Sequence, residues 1–363
     1  MEKDEIQFTL QRWLSRKTPM SSIREVVDLP IALASDVGVI RTENQDRLVL
    51  LRTQVTSEKS FLVGVLCDGM GGMVDGKGCA ELAVSAFISS CIRHRSMDLK
   101  KLLLNAVNYS NNVVFKKYQG NGGATLSAFI LNSDKQLEAI NVGDSRIYIE
   151  KDNVFEQVTT DDTISGQLSN KFHDSELSHQ ILQYIGIGSS LEPHSIEFPC
   201  IDKISKILIT SDGSHYIAHD TLRRIISPPL PSVELVERLI NVAKWCGGHD
   251  NASALLLTDL PSFFLKDEDI HIGAVDIWDP FGDVQFIAVE APLSQKAITT
   301  SKLLLNEDAD TSVTDQIELS SVNENTSESE SKLDEKVERK KRNQKNKTKA
   351  APEKLNLRID FDK

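Results

Sequence analysis

Residues 66–78 read LCDGMGGMVDGKG, with five glycines and two aspartates in thirteen positions. Ahead of them runs SFLVGVLC (60–67), short, apolar and partly β-branched, as expected of a buried strand. Behind them, in CAELAVSAFISSCIRHR, Leu82, Ala83, Ala86 and Phe87 recur at helical spacing. Asp68 is therefore expected at the carboxyl end of a strand, with a glycine-rich loop leading into a helix. Glycine lets a backbone approach a ligand closely and adopt positive φ without steric cost. Three readings fit. A nucleotide phosphate loop would use Gly71, Gly76 and Lys77, but it requires Ser or Thr next, where Gly78 stands, and gives Asp68 no task. A metal site would use Asp68 and nearby backbone carbonyls. A tight turn would leave Asp68 exposed and idle.

The bulk composition narrows the classes. A chain of 363 residues allows one large or two ordinary domains, and 40% hydrophobic content suffices for a sizeable core. Five scattered cysteines without CxxC spacing suggest neither a zinc site nor a disulfide framework. The start, MEKDEIQFTLQRW, has no apolar signal region, and no run approaches the ~18 apolar residues of a membrane span. A cytoplasmic, membrane-independent protein is the expectation. A net charge of −12 argues against general nucleic-acid binding.

Composition also divides the chain. Residues 31–260 carry the apolar runs IALASD, RLVLL, FLVGVLC, LSAFILN, LEAINV, RIYIE, KILITS and ASALLLT, with helical patterns over 78–95, 99–118 and 232–245. Turns at NSDKQ and EKDN between apolar runs suggest antiparallel strands, hence an α+β fold. Residues 1–30 are read as an N-terminal extension and 261–299 as a C-terminal extension holding a strand pair. Residues 306–335 carry ten acids and one lysine, whereas 336–349 carry eight basic residues and one acid. Such chain buries too little apolar surface to offset its ordering entropy, so 300–353 is expected to be a disordered linker. Alternation returns at Leu355, Leu357, Ile359 and Phe361. Residues 354–363 are thus a candidate docking segment, which could add as a strand to a partner's sheet edge or to this protein's own.

Five aspartates flank apolar strands: Asp46 before RLVLL, Asp68 after VGVLC, Asp144 in NVGDSR, Asp212 in ITSDG and Asp250 in GGHDNAS. One such aspartate is ordinary turn chemistry. Five suggest carboxylates converging at one end of a sheet, where they repel one another unless cations intervene. An all-oxygen set suits Mg²⁺ or Mn²⁺ and disfavours zinc.

The stretches SDVGVIRTENQD (35–46), CDGMGGMVDG (67–76), GGATLSAFI (122–130), NVGDSRIYI (141–149), TSDG (210–213) and GGHDNAS (247–253), in this order, resemble the metal-dependent serine/threonine protein phosphatases of the 2C type in their bacterial form. The resemblance covers roughly residues 31–258. It implies a β-sandwich of two antiparallel sheets flanked by helix pairs, with two Mn²⁺ or Mg²⁺ ions at one edge and a weaker third position. It further implies that Asp68 bridges both ions, that the Gly69 carbonyl joins the second, and that Asp212 and Asp250 hold the first. Asp46 would serve the second ion directly or through water, Asp144 with Asp212 would match the third position, and Arg41 would grip the substrate phosphate. The reaction implied is hydrolysis of phosphoserine and phosphothreonine in proteins by an activated water. The partners implied are a phosphoprotein substrate and, further off, a cognate serine/threonine kinase.

The chain departs from the family at Gln45, where some members carry Glu, at Met70 and Met73, where histidines occur, and at Tyr216, where an acid is frequent. Without those histidines, protonation of the leaving group falls to water. Alternatives remain for single residues: Asp144 as a turn cap partnered by Arg146, Arg41 as a surface ion-pair residue, and His215 and His249 as bystanders. A different function class, a catalytically weak phosphatase-fold sensor or scaffold that binds a partner, would be favoured by loss of Asp68, Asp212 or Asp250. All three are present.

Overall fold

The computed structural model describes residues 4–54, 59–167, 180–260, 274–288 and 355–359. Residues 168–179 and the whole of the charged linker (300–353) lie outside the described residues. One sheet has the order β1 (Ser21–Glu25), β2 (Ile31–Asp36), β11 (Ala252–Thr258), β10 (Ile204–Thr210), β7 (Arg146–Lys151), β8 (Val154–Gln157). The other runs β14 (Leu355–Ile359), β13 (Gly282–Ala288), β12 (Ala274–Asp279), β3 (Arg47–Gln54), β4 (Ser60–Cys67), β5 (Leu126–Asn132), β6 (Leu137–Val142), β9 (His194–Phe198). The expected pair of antiparallel sheets with flanking helices is borne out, and every described strand pair except β13–β14 is antiparallel.

The unbroken apolar runs follow from burial on both faces. In β3, Leu48 and Leu50 face the sheet-to-sheet core with Leu33, Phe129 and Leu255, while Val49 and Leu51 face helices. Strand side chains alternate between faces, so a strand covered on both sides must be apolar at every position. On the outer side of the second sheet pack α1 (Glu5–Leu14), α2 (Gly76–Arg93) and α3 (Leu99–Tyr118). Helix α2 is buried almost all round because Ala80, Ala83, Ala86, Ser85 and Ser89 are small enough for close approach from several sides. On the outer side of the first sheet lie α6 (His219–Ile226) and α7 (Ser232–Trp245), through Leu222, Leu235, Leu239 and Ile240. Two single turns, α4 (Ile164–Gln167) and α5 (Asp212–His215), complete the helices of the described residues. No helix among them is long and apolar enough to cross a membrane.

Two segments depart from the sequence reading. Residues 4–30 were set apart as an extension, yet they are built into the folded body. Ile6, Leu10 and Leu14 of α1 join the core of α2, and Asp4 accepts hydrogen bonds from Ser89 and Tyr109. Strand β1 pairs with β2 along its whole length. Its half-exposed SSIRE carries no alternation, because its place rests on main-chain bonds. At the other end of the chain, β14 lies parallel to β13, with Leu355 opposite Val284 and Ile359 opposite Ala288. Of the two edges the docking segment could take, the protein's own is the one it occupies here. The expected strand pair within 261–299 is the β12–β13 hairpin, tied to the N-terminal segment by Arg16–Asp279 at 2.7 Å and Arg24–Asp283 at 3.2 Å.

Candidate metal centre

Antiparallel pairing gathers the strand-end aspartates. Asp36 at the end of β2 lies opposite Ala252 at the start of β11, so Asp250 sits at that end. Thr210 at the end of β10 lies opposite both Ala254 and Arg146, which brings Asp212 and Asp144 there too. In the second sheet Arg47 faces Cys67, which sets Asp46 beside Asp68. Six strand ends thus meet at one rim of the sandwich. A cavity of about 230 Å³ opens there, lined by Arg41, Gln45, Asp68, Gly69, Thr125, Asp144, Asp212 and Asp250 among others.

The Asp68 backbone and the Arg41 arm are held from behind. The Asp68 N–H donates to Thr125 Oγ1 (3.0 Å) and its carbonyl accepts from the Thr125 N–H (2.8 Å), so β5 fixes the end of β4. At Gly69 the backbone passes so near Gly76 that a Cβ would lie 2.3 Å from the Gly76 carbonyl oxygen. Only glycine fits there, which explains the residue that follows Asp68. Asn251 ties down the arm that carries Arg41. Its Oδ1 accepts from the Gln45 N–H (2.8 Å), and its Nδ2 donates to the carbonyls of Val37 (2.9 Å) and Glu43 (3.0 Å). At the cavity mouth Arg41 Nη2 meets Asp250 Oδ2 at 2.6 Å, with the Arg41 side chain about half exposed.

Of the expected residues, Arg41, Asp68, Gly69, Asp144, Asp212 and Asp250 come together around this cavity, and Asp46 does not line it. Asp46 lies behind the wall, almost fully buried, with Oδ2 accepting from Ser211 Oγ (2.8 Å). Gln45 takes the wall position in its place. Asp144 has no ion pair with Arg146, whose guanidinium instead grips both oxygens of Asp161 (Nε–Oδ1 2.9 Å, Nη2–Oδ2 2.6 Å). His215 is buried on Thr210, and burial pushes its pKa well below the ordinary value. His249 turns its ring edge-on to Tyr216. Burial raises the Cys67 and Cys91 thiols far up and Cys79 to about 12, so none of these is poised as a nucleophile.

The electrostatics call for cations. Burial, then the repulsion of Asp46 and Asp212, raises Asp68 well above the carboxylate range. Burial raises Asp46 to about 7, against the opposing effect of the Ser253 and Ser211 hydroxyls. Burial and Asp212 likewise lift Asp144 to about 7. Asp212 rises through burial and Asp250, and its Oδ1, like Oδ1 of Asp46, is a buried oxygen with no hydrogen-bond partner. Orphaned buried acceptors are uncommon and costly. Divalent ions would relieve both the orphaned oxygens and the mutual repulsion, so the donor set fits oxygen-preferring Mn²⁺ or Mg²⁺. Among the described residues no three acid, imidazole or thiol groups close into a tight cage. The ions that suit an open ring of this kind are those that keep several of their waters.

No family model matches the chain. Among curated proteins, the protein phosphatase PhpP of Streptococcus pneumoniae is 24% identical over 246 residues, spanning 63% of this chain and 97% of that protein. The serine/threonine protein phosphatase PstP of Mycobacterium tuberculosis is 27% identical over 263 residues, spanning 69% of this chain and 49% of that protein. Among solved structures, the PPM Ser-Thr phosphatase MsPP of Mycobacterium smegmatis, in complex with cacodylate, matches with a TM-score of 0.52 at 25% identity, over 65% of this chain and 99% of that one. The catalytic domain of PstP with two manganese ions matches with a TM-score of 0.52 at 23% identity, over 66% of this chain and 98% of that one. The resemblance read from the six motifs is borne out: the relatives are bacterial protein phosphatases, PstP and MsPP being of the serine/threonine type, and the fold is that of the solved ones.

Proposed function

We propose that this chain is a metal-dependent protein phosphatase that hydrolyses phosphoserine and phosphothreonine in other proteins. The observation that carries the reading is the meeting of Asp68, Asp212 and Asp250 around one cavity with Arg41 at its mouth. Two divalent ions bound there would supply an activated water near neutral pH and offset charge on the phosphoryl oxygens. Asp68, the Gly69 carbonyl, Asp212 and Asp250 are the groups to hold them. Asp46 supports the set from behind the wall, and Asp144 with Asp212 offers a weaker third position.

Arg41 has two partners to choose between. Its guanidinium pairs with Asp250. The same planar fork would take a phosphoryl group through two parallel hydrogen bonds. The Asn251 latch keeps the Arg41 arm in place, so phosphate meets a preset partner. No histidine is among the described residues that line the cavity, and the departing alkoxide is assigned its proton from water. A serine/threonine kinase is the source of such a substrate. A reducing, cytoplasmic setting agrees with five unpaired thiols.

The direct test is phosphate release from a phosphothreonine peptide and from a phosphotyrosine peptide, after EDTA treatment and again after Mn²⁺ or Mg²⁺ is restored. Restored turnover that favours phosphothreonine is expected. Turnover that survives EDTA, or none with either ion, would overturn the reading, and the second outcome would favour a scaffold on the same fold.

A further inference from the structure

Beside the cavity lies an apolar surface that the chemistry leaves unused. Val39 and Ile40, the two residues before Arg41, are 62% and 64% exposed, and Tyr216 is 74% exposed. Single exposed apolar side chains are normal on any protein, but a contiguous set at a site's mouth marks a contact surface. These residues are linked through Gly248 and His249. Val39 rests against Gly248, where a Cβ would come within 2.7 Å of Val39 Cγ2. The N–H groups of Val39 and Ile40 both donate to the Gly248 carbonyl, at 2.8 and 3.3 Å. His249 follows, and its ring stands edge-on to Tyr216 with centroids 6.0 Å apart. The next residue is Asp250, the Arg41 partner.

We propose that Val39, Ile40, His249 and Tyr216 form a shelf that seats apolar side chains flanking the phosphorylated residue of a protein substrate, an inference that rests on the phosphatase reading above. Continuity identifies the occupant. The loop that presents Arg41 to a phosphate presents Ile40 and Val39 one and two residues away. An extended substrate advances about 3.3 Å per residue, so its neighbouring side chains reach the shelf while its phosphate lies on Arg41. The shelf is also preformed: the Gly248 bonds and the Asn251 latch hold its loop from beneath, so little ordering is lost when a peptide settles on it.

The test uses the full chain with Mn²⁺ and three substrates: p-nitrophenyl phosphate, a phosphothreonine peptide with leucine on both sides, and the same peptide with aspartate on both sides. Expected is a kcat/KM about tenfold higher for the leucine peptide, as partial burial of two aliphatic side chains supplies. Equilibrium binding of the peptides to the Asp212→Asn variant should show the same preference. In a Val39→Ser, Ile40→Ser variant it should fall below about twofold, with p-nitrophenyl phosphate turnover unchanged, since that substrate has no flanking residues. Equal kcat/KM for the two peptides in the wild type, or a preference that survives both substitutions, overturns the shelf. So does an altered oligomeric state of the double variant with its peptide preference intact, which would assign the surface to a second copy of the chain. Absence of turnover with all three substrates would instead remove the phosphatase reading, and the shelf with it.

Discussion

Replacing Asp46 by Asn should stabilise the metal-free protein, by an amount that depends on pH. Asp46 is almost fully buried, and that burial lifts its pKa from 3.8 to about 7. The folded chain therefore holds a proton that the unfolded chain releases near pH 4. Below that value the carboxyl is neutral in both states and costs nothing. As pH rises from about 4 to about 7 the folded state is progressively penalised, and above about 7 the whole cost applies. Three pH units at about 1.4 kcal/mol each set an upper bound of about 4 kcal/mol. Water entering the adjacent cavity reduces this to about 2 kcal/mol. Asparagine keeps an acceptor for the Ser211 hydroxyl and carries no charge. In EDTA, urea unfolding at pH 8 should show Asp46→Asn more stable than wild type by about 2 kcal/mol, with the gap shrinking to about 0.5 kcal/mol at pH 4.5. Saturating Mn²⁺ at pH 8 should narrow or reverse the gap, because the wild type gains more from the ion. A gap that does not change with pH, or a variant less stable than wild type at pH 8, would refute the burial argument.

Four further outcomes are expected. Asp250→Asn should abolish turnover while leaving the unfolding midpoint of the metal-free protein unchanged or higher, because a crowded carboxylate is neutralised; near-normal rates would place the site elsewhere. Arg41→Ala should raise KM for phosphopeptides and leave Mn²⁺ affinity, read by calorimetry, within about twofold of wild type. Asn251→Ala removes three hydrogen bonds at about 1 kcal/mol each, so a loss of about 2–3 kcal/mol in urea unfolding should accompany a higher KM. Deleting residues 354–363 should leave hydrolysis of a small phosphopeptide unchanged and speed amide exchange along β13; exchange that stays the same would mean β14 contributes nothing to that edge.

The sheets were legible because strands covered on both faces have to be apolar at every position, as SFLVGVLC and ASALLLT are. The convergence of aspartates was legible because strand-end position fixes which rim a residue occupies. Depth was not. Asp46 and Gln45 are neighbours, and their difference depends on Ser211, which lies 165 residues from Asp46 in sequence. Asn251 reads as an ordinary loop residue until its three partners around the Arg41 arm are seen. Helix α1 did carry a signal, since Ile6, Leu10 and Leu14 recur every four residues. Strand β1 carried none, because backbone pairing leaves no trace in side chains. The alternation in 355–359 announced a strand, but period-2 patterning says nothing about which edge receives it.

The placing of β2 between β1 and β11 has a consequence for the chain's birth. Ile31 pairs with Leu257, so an early-made strand waits for one of the last in the sandwich. At about 5–20 residues per second, the ribosome takes roughly ten to forty seconds to supply that partner. Through that interval β2 offers the nascent chain an open apolar edge, and the Arg16 and Arg24 contacts to Asp279 and Asp283 form later still. Closure of this domain is therefore a late event in synthesis, and its early half needs shelter until then.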